Sequence, residues 1–80
     1  MTVGIVVKER ILQLCQERDI SVNKLSTISG VTQSTVNNII SGRNNSATVS
    51  TIKKLCDGLG ITLGQFFSTP EFDALEQEIV

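Results

Sequence analysis

The stretch from Ser21 to Arg43, SVNKLSTISGVTQSTVNNIISGR, decides the fold of this 80-residue chain. It predicts two short helices joined by a turn at Gly30, because glycine readily adopts the left-handed conformation that ends a helix. The apolar residues of the stretch fall at helical spacings on both sides of that turn. They are Leu25, Ile28, Val31, Val36, Ile39 and Ile40.

The second of these helices has two unlike faces. At about 100° per residue, an arc of about 140° holds Thr35, Val36, Ile39 and Ile40. The opposite arc carries only amides and hydroxyls, on Gln33, Ser34, Asn37, Asn38 and Ser41. An ordinary solvated face is one interpretation, but such a face usually favours Lys, Glu and Ala. The pattern therefore indicates a helix held by its apolar side and inserted by its polar side, with the major groove of DNA as the best-fitting partner.

The rest of the chain predicts further helices and no strands. Helix one is expected from about Ile5 to Arg18, helix two from Val22 to Ser29 after an N-cap at Ser21, and helix three from the cap at Thr32 to about Ser41, before Gly42. Helix four is expected from near Thr48 to Gly60. Its inward residues would be Val49, Ile52, Leu55, Cys56 and Leu59.

A short fifth helix and a candidate sixth complete the prediction. Thr62 and Gln65 form a capping-box pattern for the fifth. From Thr69 onward, Pro70 suits a first helical position, and a stripe of Phe72, Leu75 and Ile79 suits a C-terminal helix. The fold class is thus all-α: a compact bundle of five short helices, helices two and three forming a helix-turn-helix, plus a candidate C-terminal helix.

Length and composition indicate one small domain. Hydrophobic residues make up 40% of the chain, no apolar run approaches the roughly 20 residues that span a bilayer, and the apolar start is wrongly flanked for a signal peptide. We expect a cytoplasmic protein. The expected division is a DNA-binding part, residues 1–67, and an acidic C-terminal helix or tail, residues 68–80.

The charges are distributed unevenly. The net charge is −1, but four of the eight acidic residues lie in the last ten positions, where there is no Lys or Arg. Residues 1–70 therefore carry seven basic and four acidic side chains, a net charge of +3. This asymmetry is typical of a weakly basic binding domain with an acidic appendage.

Catalytic and metal chemistry find no support in the sequence. There is no His, no Cys-x-x-Cys pair and no glycine-rich phosphate loop, so we expect neither an enzyme nor a cofactor or metal. Cys15 and Cys56 each stand among apolar helix residues and are interpreted as reduced core thiols, with a redox switch as the alternative.

Several short segments occur in one characteristic order. They are Ile20-Ser21, Leu25, Gly30-Val31, Thr32 to Val36, Ile39, Ser41 to Arg43, and Thr51 to Ile61. In this order and spacing the chain resembles the lambda-repressor-like helix-turn-helix domains of Cro and Xre type, found in phage repressors and bacterial regulators. The resemblance covers about Ile11 to Phe67. Two positions depart from it: Ser26 replaces the usual Ala, and Ala47 replaces a frequent Pro. We expect the Ser26 hydroxyl to bond back to its own helix.

The resemblance implies a function and a set of site residues. The second helix of the pair would enter the major groove, with base edges read by Gln33, Ser34, Asn37 and Asn38. Because Gln and Asn pair with adenine and no Arg stands in this helix, we expect half-sites that contain A·T pairs. Phosphate contacts are expected from Ser21, Asn23, Thr32, Arg43, Asn44 and Asn45. For Lys24, Lys53 and Lys54 a solvated surface charge is an equally good interpretation.

The expected protein is a small bacterial or prophage transcriptional regulator, a repressor, that binds two-fold DNA sites as a homodimer. The dimer surface could be formed by exposed aromatics with Leu75 and Ile79, or by the apolar start Val3-Ile5-Val6; a tail folded onto its own domain is the alternative. A second functional class also stays open: an antitoxin-like or anti-regulator module that binds a protein partner through residues 69–80.

Overall fold

The computed structural model describes residues 2–41 and 47–79, and within these ranges it contains helices and no strand. The helices are α1 (Val3–Glu17), α2 (Val22–Ser29), α3 (Gln33–Ile40), α4 (Val49–Leu59), α5 (Leu63–Phe67) and α6 (Pro70–Asp73). The all-α prediction and the helix-turn-helix at α2 and α3 are confirmed. The predicted end of the third helix at Gly42 lies outside the described residues.

Each of the six helices begins with a Thr or Ser whose hydroxyl accepts a hydrogen bond from a backbone N–H three residues later. These N-caps are Thr2, Ser21, Thr32, Thr48, Thr62 and Thr69. Such a cap satisfies one of the backbone N–H groups that lack an intrahelical partner. The prediction that α1 starts near Ile5 is wrong by two residues, because Thr2 caps the helix earlier.

Three helices end in the same way, with one left-handed residue followed by an apolar one. The left-handed residues are Asp19, Gly30 and Gly60, with φ of 52°, 67° and 71°. After each, an apolar residue donates its N–H to a carbonyl five positions back: Ile20 to Cys15, Val31 to Ser26 and Ile61 to Cys56. The left-handed residue also donates its own N–H to the carbonyl three positions back. The two hydrogen bonds satisfy carbonyls of the last helical turn and direct the chain back toward the core.

The core lies between α1, α2, α3, α4 and α5. Phe66, Ile11, Leu25, Leu55, Val36 and Cys56 are its largest fully buried side chains. Val49 does not belong to it: its predicted inward position is wrong, since the side chain is 69% exposed. Val49 is the first residue of α4, and the buried residues of this helix begin at Ile52.

The two cysteines are buried in this core, Cys15 at 4% and Cys56 at 0% exposure. Burial raises the pKa of both thiols, although the positive charge of Arg18 partly opposes the shift at Cys15. A raised pKa leaves little thiolate, which is the reactive form. This environment fits the interpretation of core thiols.

Two arginines, Arg10 in α1 and Arg18 at its C-cap, tie α1 to the ends of other helices. Arg10 donates from Nε to the Phe66 carbonyl and from Nη2 to the Gln65 carbonyl, both at 2.8 Å. Arg18 donates from Nε to the Leu59 carbonyl at 3.2 Å. Each guanidinium therefore sits at the negative end of a helix dipole, at the last residues of α5 and of α4.

The packing of α2 on α4 requires a glycine. A Cβ built at Gly58 would lie 2.2 Å from Ser29 Oγ and 3.1 Å from Ser29 Cα. The Ser29 hydroxyl is buried in this contact, and within the described residues it has no hydrogen-bond partner. The two backbones approach closely here, which brings α2 and the turn before α3 firmly against the core.

The C-terminal segment is less helical than predicted. The helix α6 ends at Asp73, and Leu75 and Ile79 do not share a helical stripe with Phe72. The ring of Phe72 instead packs on Phe67, with 4.9 Å between ring centroids, and on Phe66 at 6.1 Å. These contacts stop at Phe72, and Ile79 is 83% exposed.

Candidate nucleic-acid interface

The helix α3 is held by one face and free on the other, as its spacing predicts. Val36 is completely buried and Ile39 is 8% exposed, both within the core cluster. The four predicted base-reading residues are all exposed. They are Gln33, Ser34, Asn37 and Asn38.

The turn that sets α3 against α2 contains a buried hydrogen bond. The Ser26 hydroxyl donates to the Val31 carbonyl at 2.6 Å, so the expectation that it bonds back to its own helix is wrong. The bond crosses the turn instead, from α2 to the residue after Gly30. Ser26 is only 7% exposed, and a buried hydroxyl needs a hydrogen-bond partner. The turn places the Val31 carbonyl within reach.

The first turns of α2 and α3 lie side by side. The Gln33 amide nitrogen donates a hydrogen bond to Oδ1 of Asn23, which joins a predicted base reader to a predicted phosphate contact. Both side chains are exposed. The amide pair lies at the edge of the exposed face of α3.

The other predicted phosphate contacts divide into two groups. Ser21 and Thr32 are exposed N-caps whose hydroxyl oxygens accept backbone N–H groups. The Thr32 and Thr35 hydroxyls also lie 2.8 Å apart. Arg43, Asn44 and Asn45 lie outside the described residues.

Sequence reasoning missed a polar pocket between α3 and the start of α4. It measures about 160 Å³ and is lined by Thr35, Asn38, Ile39, Ala47, Thr48 and Thr51. The Thr48 hydroxyl donates to that of Thr51 and accepts the Thr51 N–H. Thr48 as the predicted start of the fourth helix was the available signal, but only the fold shows that it adjoins Asn38.

Positive charge near this face is sparse in the described ranges. Lys24 is exposed beside Asn23, whereas Lys53 forms an ion pair with Asp57 one turn further along α4. That pairing raises the pKa of Lys53, first through the hydrogen bond and then through the charge of Asp57. Arg10 and Arg18 are occupied by backbone carbonyls.

Other kinds of site find little structural support in residues 2–41 and 47–79. No three side chains of the metal-binding types come close enough there to hold an ion. None of the helices described is both long and apolar enough to pass through a bilayer.

Comparison with known families identifies this arrangement. Residues 10–71 match the model of the Cro/C1-type HTH DNA-binding domain, which is most of the chain and includes α2, the turn and α3. The chain belongs to this family. Its HTH pair is therefore that of a DNA-binding domain.

A solved structure agrees with this assignment. The crystal structure of the prophage Lp1 protein 11 superposes with a TM-score of 0.83 and 35% sequence identity, over 92% of this chain and 97% of that one. A search of curated proteins finds no significant match. The two chains therefore share their fold over most of their length.

Proposed function

We propose that this Cro/C1-type protein is a transcriptional regulator that reads operator DNA with α3 in the major groove. The observation that carries the proposal is the division of α3: Val36 and Ile39 are buried, while the amides and hydroxyls opposite them are exposed. Base edges would meet Gln33, Ser34, Asn37 and Asn38. Direct readout of this kind depends on donors and acceptors held at fixed positions.

The Asn23–Gln33 hydrogen bond leaves Gln33 able to read adenine. A glutamine amide nitrogen carries two hydrogens, and one of them is donated to Asn23. Gln33 therefore keeps one N–H donor and its carbonyl acceptor, the pair that matches adenine N7 and N6. We infer that at least one A·T pair of each half-site is read in this way.

Phosphate contacts would flank this helix on both sides. Ser21, Asn23 and Thr32 stand at the starts of α2 and α3, where free backbone N–H groups favour an anion. Thr48 offers the same at the start of α4, while Arg43, Asn44 and Asn45 remain predictions from sequence. With about four phosphates neutralised per subunit, log affinity would fall with log salt by roughly 0.9 per contact.

We further propose that the protein acts as a homodimeric repressor on two-fold sites. One small domain offers few base contacts, and pairing two recognition helices about one DNA turn apart doubles them. The unequal charge distribution fits this role, since the acidic residues 71–78 lie outside the helix-turn-helix pair.

Selection of bound sequences from a random DNA pool tests the proposal. The expected result is an enriched, two-fold site with A·T pairs and half-sites about one helical turn apart. Gln33→Ala should weaken binding about 5- to 150-fold and relax one base position. Gln16→Ala, on an exposed position of α1, is the matched control and should bind as the wild type does. No enriched sequence at low salt would overturn the proposal.

A further inference from the structure

An apolar groove crosses the molecule beside the recognition helix, on the side away from the exposed amides. Its volume is about 170 Å³. The residues that line it are Val3, Gly4, Val7, Ile39, Ala47, Val49, Ile52 and Phe67. An apolar cavity of about 150 Å³ accommodates a molecule as large as benzene, so this groove has room for an aliphatic side chain.

Two helix N-termini border the groove. Val3 begins α1 and Val49 begins α4, and neither helix has an acidic residue in its first turn. A helix N-terminus carries about half a positive charge. The groove thus combines an apolar floor with ends that favour carboxylates.

The C-terminal segment has the complementary character. Residues 75–79, Leu-Glu-Gln-Glu-Ile, place two aliphatic side chains around two carboxylates, with no Lys or Arg nearby in sequence. The segment is not helical, and Ile79 at 83% exposure is the most exposed large hydrophobic side chain described. Leaving such a side chain in water forgoes the free energy of its burial.

We propose that the groove receives residues 75–79 of a second copy of this chain. Within one copy, α6 lies beside Val6 and Arg10 of α1, and Ile79 remains exposed rather than seated in its own groove. Reciprocal exchange between two copies fills both grooves and closes a two-fold dimer. Because Ile39 of α3 forms part of the lining, this dimer would also fix the spacing of the two recognition helices.

The inference rests on the proposed function only for that last consequence, so the two are tested separately. Sedimentation equilibrium of the full chain without DNA should show a monomer–dimer equilibrium. Ile79→Ser should raise the dimer dissociation constant about tenfold or more, and Gln77→Ser, an exposed polar position in the same segment, should leave it unchanged. Circular dichroism should show the same helix content in both variants.

The groove is tested by a second pair of variants. Val49→Asp puts a carboxylate on its rim and should abolish dimerisation, while the start of α4 still favours an acidic residue. Ser50→Asp adds the same charge to the same helix turn without lining the groove, and should dimerise like the wild type. Equal dissociation constants for these two variants would overturn the proposal.

Mixed samples decide which copy supplies the segment. Val49→Asp keeps a functional segment and Ile79→Ser keeps a functional groove. A mixture of the two should therefore form a heterodimer through one intact segment–groove contact, with a lower dissociation constant than either variant has alone. Isotope-filtered NOEs should connect Ile79 methyls of one copy to Val49 methyls of the other in wild-type protein. The inference would be overturned if the wild-type chain stays monomeric at 500 μM, roughly a thousandfold above a 0.5 μM dissociation constant. NOEs found only within one copy would overturn it as well. A chain that stays monomeric but still selects a DNA sequence would overturn the dimer and leave the proposed DNA binding intact.

Discussion

In the contact between α2 and α4, a single methyl group at Gly58 would meet Ser29 at 2.2 Å, whereas on the outer face of α3 whole side chains such as Asn37 stand free in solvent. Ser29 belongs to α2 and Asn37 to α3, so each region involves one helix of the helix-turn-helix pair. The first sets where α3 points, and the second is available to a partner. Stability and proposed DNA binding are therefore carried by different residues, and substitutions should separate them.

The largest expected effect comes from the packed side. Phe66→Ala removes a completely buried ring that contacts Phe67 and Phe72, and should lower the free energy of unfolding by about 3–5 kcal/mol. Chemical denaturation monitored by circular dichroism measures the change. Phe72→Ala, at a half-buried position, is the control and should cost less. Equal losses would mean that the core does not centre on Phe66.

Gly58→Ala tests the close approach of α2 and α4 directly. The added Cβ must displace Ser29, whose Cα is only 3.1 Å away, so we expect a loss of about 1–3 kcal/mol despite the better helix propensity of Ala. Gly64→Ala is the matched control, because its nearest neighbour would be 3.8 Å away. That substitution should stabilise by about 0.5–1 kcal/mol. Changes of the same sign in the free energy of unfolding would contradict the close approach of α2 and α4.

Asn37→Ala tests the free side of the comparison. Because Asn37 is exposed and outside the core, the free energy of unfolding should change by no more than about 0.5 kcal/mol. Affinity for the selected DNA site should fall by about 1–3 kcal/mol, measured by fluorescence anisotropy at fixed salt. Unchanged affinity would remove Asn37 from the reading face. A matching loss of stability would show instead that the two sides of the unit are coupled.

The smallest effect is expected at the end of α1. Asp19 adopts φ of 52° in the position that Gly30 and Gly60 occupy in the other two turns. Asp19→Gly should relieve that strain and stabilise the protein by about 0.5–1 kcal/mol. Gly30→Ala introduces the same strain and should destabilise by a similar amount, as thermal denaturation can show. A loss on Asp19→Gly would indicate that its carboxylate contributes more than its backbone costs.

The parts of the fold that sequence predicts are those decided by local interactions. Gly30, Gly60 and the Thr62–Gln65 capping box act within one turn, and the structure has each of them as predicted. Burial of Val49 and of the C-terminal stripe Phe72, Leu75 and Ile79 depends on what packs against them, so helical spacing alone does not predict it. The left-handed conformation of Asp19 is not predicted by the sequence, because glycine is the usual residue at that position.

The exposed residues of the candidate interface follow from the periodicity of α3 alone. Their relation to other elements does not, because the Asn23–Gln33 hydrogen bond and the pocket at Thr48 join segments that are distant in sequence. The Ser26–Val31 bond is a nearer example: a hydroxyl has several carbonyls within reach, and only the geometry of the turn selects one.

The capture of Arg10 and Arg18 by helix carbonyls has a consequence for how the protein would search a genome. Two of its seven cationic side chains are held against neutral carbonyls of the fold, which leaves their charge intact but limits their reach toward a phosphate. Binding to DNA of arbitrary sequence is dominated by counterions released at phosphate contacts, so each cation that cannot make such a contact shortens the time spent on a wrong site. We expect brief, frequent visits to non-operator DNA rather than long sliding, which leaves a small pool of molecules free to find their operator.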